Sequence, residues 1–327
     1  MNSLPYQHPA ILYNQVPGET YRHDDDKVED STVRDFIKAL HPVVPDVFCV
    51  PYPFTLPDMM ALLEKIRDKN TDFIINFCEE ANGISHGEAW IAGILELLNI
   101  PYSGSPAETL IFCLDKFKTS IYLKSLGIAV PESELIESDQ DLKTPSCVKI
   151  IKPCCEDGSV GLVRQNVCRT LDELKAAYKM IRKQVGQRIL IEDYIEGREI
   201  NVSILDGETL PLSEIDYSNM KSGHPHILTY EAKWQKRSEA YIGSKAICPA
   251  KINSQLEHKI IDMALHVYHA MRLRHYGRVD FRVDHNDNPY VIDVNPNPCL
   301  SPDAGFVRAL KQKGWDYKKM IEIFFRK

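Results

Sequence analysis

One segment constrains this chain more than any other. It runs Gly277-Arg278-Val279-Asp280-Phe281-Arg282-Val283, then Asp284-His285-Asn286-Asp287-Asn288-Pro289, then Tyr290-Val291-Ile292-Asp293-Val294-Asn295. Polar and apolar residues alternate on both sides of an Asn/Asp-rich turn, the pattern of a β-hairpin. Folding about Asn286 and Asp287 sets Asp280 opposite Asp293 and Arg278 opposite Asn295. A side-chain period of two puts all four on one face. Directly opposed carboxylates repel, and a dication would remove that penalty. Two carboxylates and the amide oxygen of Asn295 are hard ligands that suit Mg²⁺ alongside phosphate oxygens. Pro296-Asn297-Pro298 ends the strand after Asn295, so its amide can point into a cleft. The same residues also fit a solvent-facing hairpin in which Arg278 neutralises the acids.

The rest of the chain narrows the setting. Its 327 residues suggest two domains or three small ones. With 44% hydrophobic and 26% charged residues, it excludes a disordered tail, a collagen-like repeat and a disulfide-stapled mini-scaffold. A net charge of −7 and a pI near 5.9 argue against a general nucleic-acid binder. No apolar run approaches the ~18 residues of a membrane span, and the N-terminus has no signal-peptide core. Nine cysteines without a CxxC pair or zinc spacing read as free thiols in a reducing, cytoplasmic compartment. The acidic run Asp24-Asp25-Asp26 reads as a solvated loop, with a metal-binding tail as the alternative.

Strand patterns over 44–50 and 73–77 flank a helix over 57–69, and a second helix follows over 86–98. This alternation predicts a doubly wound parallel α/β domain, residues 1–108, with a capped helix over 30–40. A central α+β piece, 109–205, has helices over 115–126 and 171–185 and strands over 147–152, 188–193 and 199–205. The remainder, 206–327, carries a helix over 255–271, the hairpin and one terminal helix ending near 325. The fold class is thus α/β joined to α+β.

Two further segments carry chemistry. Lys149-Ile150-Ile151-Lys152-Pro153 ends a strand, and Glu156-Asp157-Gly158-Ser159-Val160-Gly161 follows as a small-residue loop. Such a loop lets backbone N–H groups approach phosphate, with a lysine at its base. It is not a Walker A motif, and an ordinary surface loop fits it as well. Leu190 to Ile200 reads as strand, Glu-Gly turn, strand, with acids at both ends. An accessible linker there can read an adenine edge and a carboxylate can hold ribose; a polar hairpin is the alternative.

In order, these segments resemble the ATP-grasp superfamily, specifically D-alanine–D-alanine ligases and their relatives, from about residue 70 onward. Gly87-Glu88, Ile100-Pro101-Tyr102-Ser103-Gly104-Ser105, Asp115-Lys116 and Tyr230-Glu231-Ala232-Lys233 complete the set. The resemblance implies an ATP-grasp fold whose two α+β subdomains clasp ATP. It implies that Lys116, Lys152 and Lys233 contact ATP phosphates under a closing loop at Ser159. Glu192, with the backbone of Tyr194 and Ile195, would hold adenine, and Glu199 the ribose. Asp280, Asp293 and Asn295 would bind two Mg²⁺ ions, with Mn²⁺ as a substitute, and Arg278 would stabilise the transferring phosphoryl group. The implied reaction is ATP-dependent amide formation through an acyl phosphate, acting on amino-acid or peptide substrates, in a homodimer, with no nucleic-acid or membrane partner.

Departures cluster where D-alanine would sit. Val16-Pro17-Gly18-Glu19-Thr20 lacks the family's N-terminal Gly-Gly-x-Ser-x-Glu pattern, and Asn76-Phe77-Cys78-Glu79-Glu80 replaces its His-Gly segment. Trp234 replaces a tyrosine, Gly158 and Ala304 replace serines, Cys299 replaces an oxyanion glycine, and Asp293 stands for a glutamate. Asn76, Glu79, Glu80, Trp234 and Cys299 are therefore candidates for an altered substrate pocket. An authentic D-alanine–D-alanine ligase, a carboxylate kinase and a silent nucleotide-binding protein are the alternatives to a ligase of changed substrate.

Overall fold

The computed structural model describes residues 6–15, 36–41, 44–185 and 188–326. The acidic run 24–26 and the segment 16–20 lie outside them, as does the start of the helix expected over 30–40; residues 36–40 are helical. The first sheet is parallel: β1 (Pro9–Asn14) lies between β2 (Asp46–Val50) and β3 (Phe73–Phe77). Ala10, Ile11, Leu12, Ile74 and Ile75 are all fully buried, which accounts for unbroken apolar runs rather than alternation. Helices α1 (Leu56–Asp68) and α2 (Gly87–Leu97) follow β2 and β3, as the strand–helix alternation requires.

Helix α3 (Ala107–Leu114) was not anticipated from sequence; Pro106 precedes it and no side chain caps it, so nothing announces its start. Asp115 then caps α4 (Lys116–Ser125), its carboxylate accepting from the Lys118 N–H at 3.1 Å. The second sheet is antiparallel in the order β4-β7-β5-β6, with β4 (Ser133–Ile136), β5 (Lys149–Pro153), β6 (Val167–Cys168) and β7 (Ile189–Asp193). Helix α5 (Leu171–Val185) covers it with Leu174, Ala177, Tyr178 and Ile181, the i, i+3, i+4, i+7 stripe of a core-facing helix.

The third sheet contains β8 (Arg198–Leu205), β9 (Glu208–Thr209), β10 (Ser213–Asp216), β11 (Lys245–Ile247), β12 (Tyr276–Val283) and β13 (Pro289–Asn295). Its order is β11-β10-β8-β12-β13, with β9 paired to β8. This sets aside the polar-hairpin alternative for 190–200 in favour of the linker: β7 pairs with β4 and β5, while β8 pairs with β10 and β12. Residues 194–197 therefore link two sheets instead of closing a turn.

Between β10 and β11 lie two short helices, α6 (Tyr230–Trp234) and α7 (Glu239–Gly243). Helix α8 (Ser254–Ala270), capped by Asn253, packs Leu256, Ile260, Ala264 and Val267 against Val279, Phe281, Val283, Ile200 and Val202. Each of these leucine, isoleucine, valine and phenylalanine side chains contributes about 1.5–3 kcal/mol when buried. Because alternate residues of β12 face α8, Arg278, Asp280 and Arg282 face the other way. The single terminal helix expected from sequence is two, α9 (Gly305–Gln312) and α10 (Tyr317–Phe324). Gly314, at φ +79°, breaks the run, and Asp316 restarts it by accepting from the Lys319 N–H at 2.8 Å. Phe306, Leu310 and Phe324 from these helices share a core with Ile11, Phe73, Ile75 and Tyr276, joining the first sheet to the third.

Candidate active site

The hairpin adopts the expected register at its open end: Asp280 opposes Asp293 and Arg278 opposes Asn295. Toward the turn the loop is one residue shorter than that register gives: Val283 pairs with Pro289, not Tyr290. Asp284 organises 284–288 by accepting from the N–H groups of Asn286 and Asn288, each at 2.8 Å. A bulge between Asp280 and Phe281, at Ile292 on the facing strand, absorbs the difference. On the other side of β12, Ser203, Asn201 and Glu199 of β8 oppose Arg278, Asp280 and Arg282, so one polar ladder spans three strands.

Each opposed carboxylate is held by a cation. Arg278 grips Asp280 with two hydrogen bonds, at 2.7 and 2.8 Å, and the Asn295 amide donates to Asp280 at 3.2 Å. Lys116, the first residue of α4, donates to Asp293 at 2.8 Å and lies 3.6 Å from Asp157. Burial would raise the Asp293 carboxyl, but Lys116, with Lys152 and Arg278 beyond it, holds it below the ordinary carboxylate range. Lys233 lies in the same field: burial first, then Arg278, lowers its amine.

Lys152, on β5, pairs with buried Glu192 on β7 at 2.6 Å. The linker 194–197 is held by Arg282, which donates to the carbonyls of Ile195 and Gly197 and to that of His226, at 2.9 to 3.0 Å. Its guanidinium also lies over the Tyr194 ring, 5.6 Å from the centroid. Gly197 is required there: at φ +142° a Cβ would stand 2.0 Å from the Val283 carbonyl oxygen. Glu199 accepts from the Tyr217 hydroxyl at 2.6 Å and lies 3.5 Å from Arg282; burial raises its carboxyl, and Arg282 opposes that rise.

The loop after β5 is tied to the third sheet's connection. Ser159 donates to the Leu228 carbonyl at 2.9 Å, and the Trp234 indole donates to the Gly158 carbonyl at 3.1 Å. Gly158 and Ser159 are both left-handed, at φ +64° and +65°. Ser85 donates to Glu156 at 2.8 Å, so the segment before α2 touches the loop as well.

The structure thus brings Lys116, Lys233, Arg278, Asp280, Asp293 and Asn295 together, with Lys152 and Glu192 on the facing sheet. The substrate candidates are more dispersed. Asn76 is buried and its side chain accepts from the Cys78 N–H at 3.2 Å, which shapes the end of β3. Glu79 follows, its N–H donating to Asn14 at 2.9 Å; Glu80 is half-buried beside it. Trp234 is engaged by the loop. Cys299 donates to Ser301 at 3.4 Å, and Ser301 to Asp303 at 3.0 Å. Sequence reading missed Arg282 as a linker clamp, although its spacing from Arg278 and Asp280 marks it as facing the same way. It also missed Asp157, whose contact with Lys116 depends on a long-range approach no local pattern reveals.

Two α+β layers closing on a lysine-lined cleft, with an acid pair and an arginine on the floor, define an ADP-forming ATP-grasp ligase that makes C–N bonds. Among solved structures, the D-alanine–D-alanine ligase of Bacillus anthracis complexed with ATP superposes with a TM-score of 0.71, covering 97% of this chain and 95% of that one at 23% identity. The ligase of Coxiella burnetii gives 0.68 at 14% identity, covering 97% and 93%. The family model described as D-ala D-ala ligase C-terminus matches residues 123–326. The D-alanine–D-alanine ligase of Aquifex aeolicus is 33% identical over 237 residues, 71% of this chain and 75% of that protein. An uncharacterized protein of Sinorhizobium fredii, y4sG, is 30% identical over 275 residues, 82% of this chain and 76% of its own length. The chain belongs to the D-alanine–D-alanine ligase family.

Proposed function

We propose that this ligase joins amino-acid-like substrates other than two D-alanines, through an acyl phosphate. The observation that carries the ligase chemistry is the strand-end cluster of Arg278, Asp280, Asp293 and Asn295 with Lys116 upon it. A carboxylate oxygen of the first substrate attacks the γ-phosphorus of ATP, and the bond to ADP breaks. The amine of the second then attacks the acyl carbon, inorganic phosphate leaves, and the nitrogen gives up a proton.

Lys116, Lys152 and Lys233 bind the phosphates, and Arg278 neutralises charge on the transferring group and on the later oxyanion. Glu192, with the backbone of Tyr194 and Ile195, holds adenine, and Glu199 the ribose. Asp280, Asp293 and Asn295 offer three hard oxygen donors fit for two Mg²⁺ ions, or Mn²⁺; bound there, the metal would supply charge neutralisation to the phosphates. The loop at Ser159 keeps water from the acyl phosphate.

Changed substrate choice is supported by Cys299 in place of a backbone-only glycine, by Ala304, and by Asn76, Glu79 and Glu80 at the end of β3. A site that loses its hydrogen-bonding partners loses its old substrate by large factors. Among the described residues no helix is long and apolar enough to cross a membrane, and all nine cysteines are free; both accord with a cytoplasmic enzyme. Exposed Trp90, Leu97, Ile111 and Ile121 on α2 to α4 offer a face for a homodimer.

The test is ADP release with Mg²⁺ and ATP across amino acids and short peptides, singly and in pairs, with mass spectrometry of products. Turnover that needs a pair and yields an amide supports the reading. Efficient D-alanyl-D-alanine formation at millimolar D-alanine would overturn the changed specificity, and a stable phosphorylated product would make the protein a kinase.

A further inference from the structure

Between β5 and the Ser159 loop lie two consecutive cysteines with no part in the chemistry above. Cys154 is buried and Cys155 is partly exposed. Their sulfurs and a carboxylate oxygen of Asp115 all lie within 4.8 Å of one another. Such a trio has the composition of a soft-metal site, but a cation is already there. Arg188 donates to Asp115 at 2.6 Å, and its guanidinium lies 3.7 Å from the Cys155 sulfur. A fixed positive charge repels a metal ion and favours a thiolate. We propose that Cys155 is a thiol-modification site that exchanges with a small disulfide, such as glutathione disulfide, and that the mixed disulfide unseats the adjoining 156–161 loop.

The step balances without another reagent. The Cys155 thiolate attacks one sulfur of the disulfide, a new S–S bond forms, and the other half leaves as a thiolate. Cys154 is a poor resolving thiol. Consecutive Cα atoms stand about 3.8 Å apart across a trans peptide, whereas disulfides usually span about 4.4–6.8 Å. The adduct therefore persists until an external thiol removes it. Beside Cys154 and Arg188 the Cys155 thiol comes down to about 7, against burial and the Asp115 carboxylate, which raise it. Cys147, which is exposed, faces the opposite situation: burial and the Asp193 carboxylate at 3.2 Å raise its thiol.

The consequence follows from position. Cys154 is tied by backbone bonds to Arg188 and to Lys116, at 2.9 and 3.0 Å, so the chain before Cys155 cannot yield. Displacement by a bulky adduct is therefore expected on the other side, at Glu156, which the Ser85 bond holds.

The full-length protein is incubated with glutathione disulfide at pH 7, with timed peptide mapping and hydrogen–deuterium exchange. More thiolate, offset by lower nucleophilicity, leaves Cys155 about threefold or more faster than Cys147. The expected result is an adduct on Cys155 first, faster exchange in 156–161, and reversal by dithiothreitol. Cys155→Ser should lose the loop response. In the unmodified protein, the iodoacetamide rate at Cys155 should rise with a midpoint near pH 7. First reaction at Cys49 or Cys147, a midpoint at the ordinary thiol value, or an adduct that leaves loop exchange unchanged would each overturn the proposal.

Discussion

The Lys116 ammonium lies 2.8 Å from an oxygen of Asp293, so the first turn of one helix and the end of a strand 177 residues later share a charge. Both members are shielded, with 11% and 26% of their side chains exposed. Asp293→Asn removes a negative charge from the proposed metal set and leaves Lys116 without it. Turnover should fall about a hundredfold or more, while far-ultraviolet circular dichroism stays native. Steady-state ADP release measures the first, and unchanged turnover would remove Asp293 from the metal set.

Arg282 touches no reacting atom in this scheme, yet it clamps the linker between the two sheets. Arg282→Met frees three carbonyls and strips buried Glu199 of its cation, at a cost of about 3–5 kcal/mol. Because the proposed adenine site lies on that linker and the proposed ribose ligand is Glu199, KM for ATP should rise about tenfold by the same loosening, with kcat changing less. Denaturant titration and ATP saturation curves separate the two effects.

Trp234→Phe keeps the ring and deletes the hydrogen bond to the Gly158 carbonyl. One such bond is worth about 1 kcal/mol, which favours the open loop by about fivefold. The ratio of ADP released to amide formed should rise as water reaches the acyl phosphate. A ratio that stays at one would mean that this hydrogen bond does not govern the exclusion of water.

The lowered amine of Lys233 has a signed consequence. In the folded protein it loses its proton at a lower pH than an exposed lysine, near 10.4. Between those two values the unfolded chain binds the extra proton, so this group makes stability rise with pH there. ATP affinity should move the other way: as pH rises through the folded value, the charge proposed to face phosphate disappears and KM for ATP should climb. Lys233→Arg should flatten that alkaline limb, since arginine keeps its proton. Profiles of KM against pH for both proteins provide the check.

Much of this site could be read from local pattern. The alternation around Asp280 and Asp293 placed both acids on one face because strand periodicity is independent of what packs on the other side. Helices over 171–185 and 255–271 were visible because their apolar stripes recur every three to four residues. What escaped depends on partners distant in sequence. The linker at 194–197 looked like a turn because Gly197 looks the same whether it reverses a chain or slips under the Val283 carbonyl. Trp234 drew notice as the replacement for a tyrosine; its bond to Gly158, 76 residues earlier, has no local signal. Arg188 offered no local reason to find Asp115 and Cys155.

The bulge at Ile292 separates two parts of the hairpin that would otherwise be bound to one arithmetic. Without it, the register set by the 284–288 turn would carry Asp293 and Asn295 to the α8 side and bury two polar groups in apolar packing. With it, a turn of that length and a face-to-face acid pair coexist in one hairpin.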